Sequence, residues 1–183
     1  MRTQTGFSLI ELLIVVAIML IITAIAIPRV VRSKIAANET SAVGSMRAIS
    51  KANIAYSTVY NVGFAGKLSD LGPPPVGTPA SVTAGDFLDS VLSGVNPATL
   101  TPVKGGYQFT YTPRVAAPTP FAPNLGYSLV GVPQNWTAGT STFCGDFGHL
   151  VMKDSSGTLN AAPATGCADG GWVIGGTVTP ASG

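Results

Sequence analysis

An uninterrupted apolar run from Phe7 to Ile27 constrains this chain more than any other feature. As a helix the run is about 31 Å long, at roughly 1.5 Å per residue, which matches the hydrocarbon core of a bilayer. It contains a single ionisable side chain, Glu11. A carboxylate in such a segment costs roughly 2.5–3.5 kcal/mol on membrane insertion. Because a simple anchor gains nothing from this cost, Glu11 is predicted to have a cationic partner and a function.

The polar residues 1–6 that precede the run do not form an ordinary secretory signal. The apolar stretch is longer than a signal-peptide core, and no small-x-small cleavage site follows it. Taken together, Gly6, Phe7, Glu11 and the long aliphatic run resemble the class III signal of type IV prepilins and of the pseudopilins of type II secretion.

The resemblance implies a defined maturation and assembly chemistry. A prepilin peptidase would cut after Gly6, the new N-terminal residue Phe7 would be N-methylated, and Glu11 would act in assembly. The freed α-amine of Phe7 is cationic at neutral pH, and Glu11 lies about 6 Å further along the helix axis. The family picture is that Glu11 of one subunit meets the N-terminal amine of a neighbour. An unpaired buried carboxylate would then penalise the wrong register.

Membrane orientation is the point on which a general rule and the resemblance disagree. Arg29, Arg32 and Lys34 follow the apolar run whereas only Arg2 precedes it, so a count of positive charges places the C-terminal part in the cytoplasm. The resemblance implies the opposite, with the leader in the cytoplasm and the head in the periplasm. We therefore expect a single-pass inner-membrane precursor that becomes part of an extracellular pilus or a periplasmic pseudopilus.

The helical pattern continues beyond Pro28 to about Tyr60. One face carries apolar residues at helical spacing, namely Val31, Ile35, Ala42, Met46, Ile49, Tyr56 and Tyr60. Pro28 removes one backbone hydrogen bond, so a kink is predicted near residues 24–28. The resemblance offers local unwinding on assembly as the alternative. The apolar stripe is expected to pack on a sheet of the same subunit.

The composition changes at Asn61, where glycine, proline, serine and threonine become frequent. Residues 61–106 are predicted to form a connecting loop, with a short turn at 67–71 and a short helix at 85–94. Four strands are predicted within 107–183, at 107–112, 127–132, 149–153 and, more weakly, 171–175. Because aromatic and polar residues alternate in 107–112, its aromatics should face the long helix.

The fold class is therefore α+β, with a long N-terminal helix packed on a C-terminal antiparallel meander in a type IV pilin-like arrangement. The predicted segments are a leader at 1–6, a transmembrane assembly helix at 7–27 and an amphipathic continuation at 28–60. A single head at 61–183 completes the chain.

The chain has two cysteines, Cys144 and Cys167. In an exported chain such a pair favours a disulfide, although two independent buried thiols are the alternative. The bridge would stabilise the fold by about 3 kcal/mol. Its placement resembles the C-terminal disulfide that delimits an exposed loop in many type IV pilins.

Few residues suggest a ligand site. His149, the only histidine, is interpreted as a structural residue of a strand. Asp146, Asp154 and Asp169 resemble the calcium-binding loop of major pseudopilins only weakly, because Ca²⁺ takes six to eight oxygens. We predict no metal and no cofactor. Two tripeptides, residues 38–40 and 135–137, fit the N-glycosylation sequon, a pattern that often arises by chance.

Catalysis and nucleic-acid binding are not predicted. The sequence lacks a His/Asp/Ser grouping, a glycine-rich phosphate loop and a Cys/His metal pattern. From Asn61 onward the sequence has four basic and six acidic side chains, a net charge of −2, so this part of the chain does not attract DNA.

The sequence thus predicts a structural subunit of a type IV pilus that polymerises with itself through its N-terminal helix. Its expected partners are prepilin peptidase and an inner-membrane assembly platform with its ATPase, and the resemblance implies roles in adhesion or twitching motility. The alternatives are a pseudopilin of a type II secretion system, which forms a short periplasmic piston, and a monomeric anchored binding protein. The cysteine pair, Pro28 and the size of the head favour the pilin.

Replacement of Glu11 by alanine tests the predicted role of the carboxylate. Glu11→Ala should abolish or disorder filament assembly and leave membrane insertion intact, because the apolar run is only made more apolar. Filament yield and membrane fractionation measure the two effects, and normal filaments from this variant would contradict the prediction.

Overall fold

A computed structural model describes residues 8–95, 101–162, 165–170 and 178–180. The chain divides into two compact units, residues 1–34 and residues 35–183. Helix α1 extends over Leu9–Tyr60 and continues through Pro28. The prediction of one long helix that ends near Tyr60 is confirmed.

The second half of α1 has one buried face. Ala42, Met46, Ile49 and Tyr56 are at most 1% exposed, whereas Arg47 and Lys51 point to solvent. The ends of the predicted stripe, Val31, Ile35 and Tyr60, are partly exposed. The helical spacing of apolar residues therefore identified the packed face correctly.

The head contains one antiparallel sheet. Its strands are β1 (Val103–Lys104), β2 (Tyr107–Pro113), β3 (Tyr127–Pro133), β4 (Thr142–Asp146), β5 (Val151–Asp154) and β6 (Val178–Pro180). They pair in sequence order, each antiparallel to the next, so the sheet is the predicted meander. The α+β class with a helix packed on an antiparallel sheet is confirmed.

The main core lies between α1 and one face of the sheet. Tyr107 and Phe109 of β2 and Leu129 of β3 are buried in the same cluster as Met46 and Ile49 of the helix. Burial of each large apolar side chain contributes roughly 1.5–3 kcal/mol. The prediction that the aromatics of β2 face the helix is confirmed.

Two buried asparagines join the helix to the connecting segment and the sheet. Asn53 Oδ1 accepts hydrogen bonds from the Ala65 amide and the Tyr111 hydroxyl, both at 3.1 Å. Asn124 Nδ2 donates to the Ala65 carbonyl at 2.8 Å. Both asparagines are fully buried. Since a buried polar group that loses its partner is costly, this network fixes the chain where it leaves α1.

The connecting segment differs in part from the prediction. A 3₁₀ turn at Leu68–Leu71 confirms the short element predicted there. The helix predicted at 85–94 is wrong. The amides of Gly85 and Phe87 donate to the carbonyls of Asp70 and Leu71, which holds this stretch of chain against the 3₁₀ turn instead of in a helical path. Asp86 also has a left-handed φ of 60°. Residues 90–94 form only turns.

The strand predicted at 149–153 is shifted. The structure has β5 at Val151–Asp154, and His149 lies in the preceding turn with a φ of 64°. The turn closes because Asp146 accepts hydrogen bonds from the Gly148 amide through its side chain and from the His149 amide through its carbonyl. The strand predicted at 171–175 lies outside the described residues.

The asparagine network yields a stability prediction. Asn53→Ala leaves the Ala65 amide without its acceptor in the core, which should lower the free energy of unfolding by about 1–3 kcal/mol. Denaturant unfolding of the detergent-solubilised protein measures this change. Thr58→Ala is the matched control, since its exposed hydroxyl bonds only the Ile54 carbonyl of its own helix. Equal stability of the two variants would contradict the role of Asn53.

Candidate assembly segment and surface loop

The assembly segment, residues 8–34, has apolar side chains that this chain does not cover. Every described side chain from residue 8 to residue 30 is exposed, including Leu9 at 81% and Ile27 at 62%. Within the described residues, α1 is the helix whose length and composition suit a membrane span. Exposed apolar surface of this extent marks a membrane or protein contact.

Glu11 lies in the first turn of α1 and is exposed. Its Oε2 accepts a hydrogen bond from the Ser8 amide at 3.3 Å. The amides of a first helical turn lack partners within the helix, and the positive end of the helix dipole favours a carboxylate there. This bond to a neutral amide does not compensate the negative charge of an ionised Glu11.

Thr23 is the other polar side chain of the span that the structure describes in detail. Its Oγ1 lies 3.0 Å from both the Met19 and the Leu20 carbonyl oxygens. The hydroxyl is therefore satisfied within its own helix and needs no partner from another molecule. The pairing of Glu11 with a neighbouring subunit stays a prediction.

The remaining predicted residues of the segment are less defined. Gly6 and Phe7 lie outside the described residues, so cleavage and N-methylation stay predictions. At Pro28 the helix continues, but proline has no amide hydrogen to donate to the Ala24 carbonyl. The kink stays a prediction as well.

A disulfide joins Cys144 of β4 to Cys167, with the two Cα atoms 5.9 Å apart. Both residues are fully buried. They belong to a second apolar cluster with Val130, Met152 and Ala162. Adjacent residues of β3 point to opposite faces, with Leu129 in the main core and Val130 in this cluster, so the disulfide cluster covers the other face of the sheet.

Hydrogen bonds fix the disulfide-bounded loop, residues 145–166, to the sheet. Asp146 Oδ2 accepts from the Cys167 amide at 3.2 Å, and Ser128 Oγ donates to the Ala162 carbonyl at 3.0 Å. Asp146 thus holds the backbone of Cys167 beside β4, and Ser128 holds Ala162 against β3. Residues 155–158, 160 and 161 remain exposed.

Asp154 anchors the turn that leaves β5. Its carboxylate accepts hydrogen bonds from the amides of Ser156, Thr158 and Leu159 at 2.8–3.0 Å, and from the Ser156 hydroxyl at 2.6 Å. Burial alone would raise the pKa of Asp154, but these bonds outweigh it and lower the pKa from 3.8 to about 2. The charge therefore stabilises the turn at every physiological pH.

Strand β4 and the second apolar cluster were missed by the sequence reasoning. Thr142, Phe143, Cys144 and Gly145 are all buried, so the strand shows no alternation of apolar and polar residues. The β-branched and aromatic pair Thr142 and Phe143 was the available signal.

Two of the three acidic side chains near the disulfide-bounded loop have structural roles. The carboxylates of Asp146 and Asp154 bind backbone amides, and Asp169 is exposed. Across the part of the chain that the structure describes, no group of three or more His, Cys, Asp or Glu side chains is placed to hold a metal ion. His149 Nδ1 lies 2.8 Å from Ser50 Oγ.

Residues 1–27 match the family described as the prokaryotic N-terminal methylation motif. This is the class III signal of type IV pilins and pseudopilins, and the predicted resemblance is confirmed. No curated protein matches the chain, and no solved structure matches it either. The match supports an inner-membrane-anchored precursor of a pilin or pseudopilin, processed by a peptidase and assembled into a multi-subunit filament.

The lowered pKa of Asp154 yields a pH prediction. Because the folded pKa of about 2 lies below the unfolded value of 3.8, the stabilisation is complete above about pH 4 and is lost as the pH falls through 2. The amide resonances of Ser156, Thr158 and Leu159, followed by NMR in micelles, should titrate together with a midpoint near 2. Asp154→Asn should abolish the transition. A midpoint at or above 3.8 would contradict it.

Proposed function

We propose that this chain is a structural subunit of a type IV pilus. One observation carries the proposal: the methylation signal at residues 1–27 continues into an apolar helix whose span holds one carboxylate, Glu11. The signal directs cleavage and methylation, and the carboxylate that follows it has no partner in lipid. Both features suit a subunit that moves from the membrane into a polymer.

Prepilin peptidase would remove residues 1–6 and leave a positive α-amine on Phe7. Glu11 of one subunit would then pair with this amine on its neighbour. An isolated carboxylate is costly in a surrounding of low dielectric constant. A wrong axial stagger between the two subunits would leave both charges without a partner and would therefore be disfavoured. The pair therefore selects one axial register, and its contribution to specificity exceeds its contribution to net stability.

The exposed aliphatic side chains of residues 9–27 provide the rest of the polymer contact. In the membrane they contact lipid, and in a filament they would contact the same segment of other copies. Lipid tails are as apolar as leucine, so this exchange has little hydrophobic driving force of its own. The assembly platform and its ATPase would supply the work, and the proline at position 28 gives the helix a place to bend during the transfer.

The head would form the outer surface of the filament. Its disulfide-bounded loop exposes residues 155–158, which carry no charge, and Asp154 anchors this turn through hydrogen bonds to backbone amides. A fixed, uncharged loop suits contact with other surfaces, which supports adhesion or twitching motility as the role of the filament.

A pseudopilin of a type II secretion system is the second candidate. The class III signal and the helix fit it equally well, and a pseudopilin would form a short periplasmic piston. The buried disulfide favours the pilin, because it stabilises a loop at the surface of the head, as in many type IV pilins.

N-terminal sequencing and intact mass of the protein from sheared filaments and from membranes test the proposal. We expect filaments to contain a chain that begins at N-methylated Phe7 and is two hydrogen atoms lighter because of the disulfide. A processed chain confined to membranes would indicate a pseudopilin, and an intact Met1 start would contradict both.

Two substitutions within the span sharpen this experiment. Glu11→Gln keeps the size of the side chain and removes its charge, so processing should continue while filaments are lost. Thr23→Val is the matched control, since the Thr23 hydroxyl bonds only its own helix. Loss of filaments in both variants would show a general sensitivity of the span and would contradict the specific role of the charge.

A further inference from the structure

The two sequons of the chain have different structural environments. Asn38 lies on α1 and is half-buried, and its Nδ2 donates a hydrogen bond to the Ala138 carbonyl at 2.9 Å. Thr40 Oγ1 donates to the Ala36 carbonyl at 2.9 Å. The nitrogen and the hydroxyl of this sequon are therefore both occupied in the folded protein, and Asn38 serves as a structural residue.

Asn135 lies in an exposed turn between β3 and β4. Its Oδ1 accepts hydrogen bonds from the Thr137 hydroxyl at 2.6 Å, the Thr137 amide at 3.1 Å and the Ala138 amide at 2.9 Å. Within the described residues every hydrogen bond of this side chain is made through Oδ1. The Nδ2 atom is thus left available at the surface.

Packing contacts fix the base of the turn that carries Asn135. Ala138 is 7% exposed and packs against Gly106, where a Cβ atom would lie 2.8 Å from that of Ala138. Gly139 lies against the ring of Tyr107 so closely that a side chain there would collide with the hydroxyl. Together with the bond from Asn38, these contacts hold the base of the turn and present Asn135 and Trp136 outward. Trp136 is 76% exposed.

We propose that Asn135 is an acceptor site for an N-linked glycan, whereas Asn38 is not. The donor is a lipid-linked sugar diphosphate. Nδ2 forms a bond to C1 of the sugar, the bond from C1 to the diphosphate oxygen breaks, and the lipid diphosphate leaves with the electron pair. One amide proton passes to a base of the transferase.

The turn geometry favours this transfer in the folded state. As Nδ2 loses a proton, negative charge develops on Oδ1, and the three donors on Oδ1 are already placed to stabilise it. The Thr137 hydroxyl that the sequon requires is one of those donors. The exposed indole of Trp136 lies beside the acceptor, where it offers an apolar face to the first sugars.

Glycopeptide mass spectrometry tests the site. The full-length chain is co-expressed with a single-subunit oligosaccharyltransferase and a lipid-linked oligosaccharide of known mass. The transferase must accept sequons without an acid two residues before asparagine, since Pro133 occupies that place. We expect the glycan mass on the tryptic peptide of residues 115–153 and none on the peptide of residues 35–47.

Substitutions separate the sequon from its surroundings. Asn135→Gln and Thr137→Ala should abolish the glycan, and Thr137→Ser, which keeps a hydroxyl, should retain it. An unmodified Asn135 in cells that glycosylate a reporter protein would overturn the proposal, as would equal modification of Asn38. Processing at Phe7 should be unaffected by Asn135→Gln, so failure here is distinguishable from failure of the pilus proposal.

Discussion

One helix in this protein has to satisfy two different surroundings, and most of the structure follows from that constraint. Residues 8–30 of α1 expose their side chains, whereas Ala42, Met46, Ile49 and Tyr56 are buried in the main core. The same helical backbone satisfies its own hydrogen bonds in lipid and in water, so no other element could extend through both. The head needs only to cover the second half of the helix, and a single sheet is sufficient for that.

Strands β3 and β4 of the sheet are buried on both faces, but by different means. On one face α1 supplies a continuous apolar surface. On the other face the second apolar cluster is the smaller of the two among the described residues, and the disulfide with the bonds of Asp146 and Ser128 holds it in place. Small cores commonly depend on such a covalent constraint, because their burial alone supplies little stability.

The sequence predicted those parts of the fold whose pattern is local and periodic. The helix to Tyr60 and strand β2 have apolar residues at regular spacing, and both were predicted within a residue or two. Strand β3 was predicted as closely, but as a strand-like stretch between turns. Strand β4 has no such period because both of its faces are buried. The turn around His149 and the loop at 85–94 depend on hydrogen bonds to residues distant in sequence, which no local pattern contains. For the candidate site, the disulfide was predicted from the cysteine pair and is present, and the role of Glu11 stays a prediction from its place in the apolar run. The carboxylate anchors Asp146 and Asp154 required coordinates.

The turn after β5 is fastened at its start by Asp154, and the same loop is fastened further on by the disulfide. The amides of Ser156 and Thr158 make that anchor, and Gly157 lies against the Thr140 carbonyl, so the length of this turn is fixed. Ser155 is exposed and takes no part in these bonds, so a label attached to its side chain would have a fixed base and an exposed position. In a polymer of such subunits that label would recur at every step of the helical lattice, which makes this position a natural site for multivalent display.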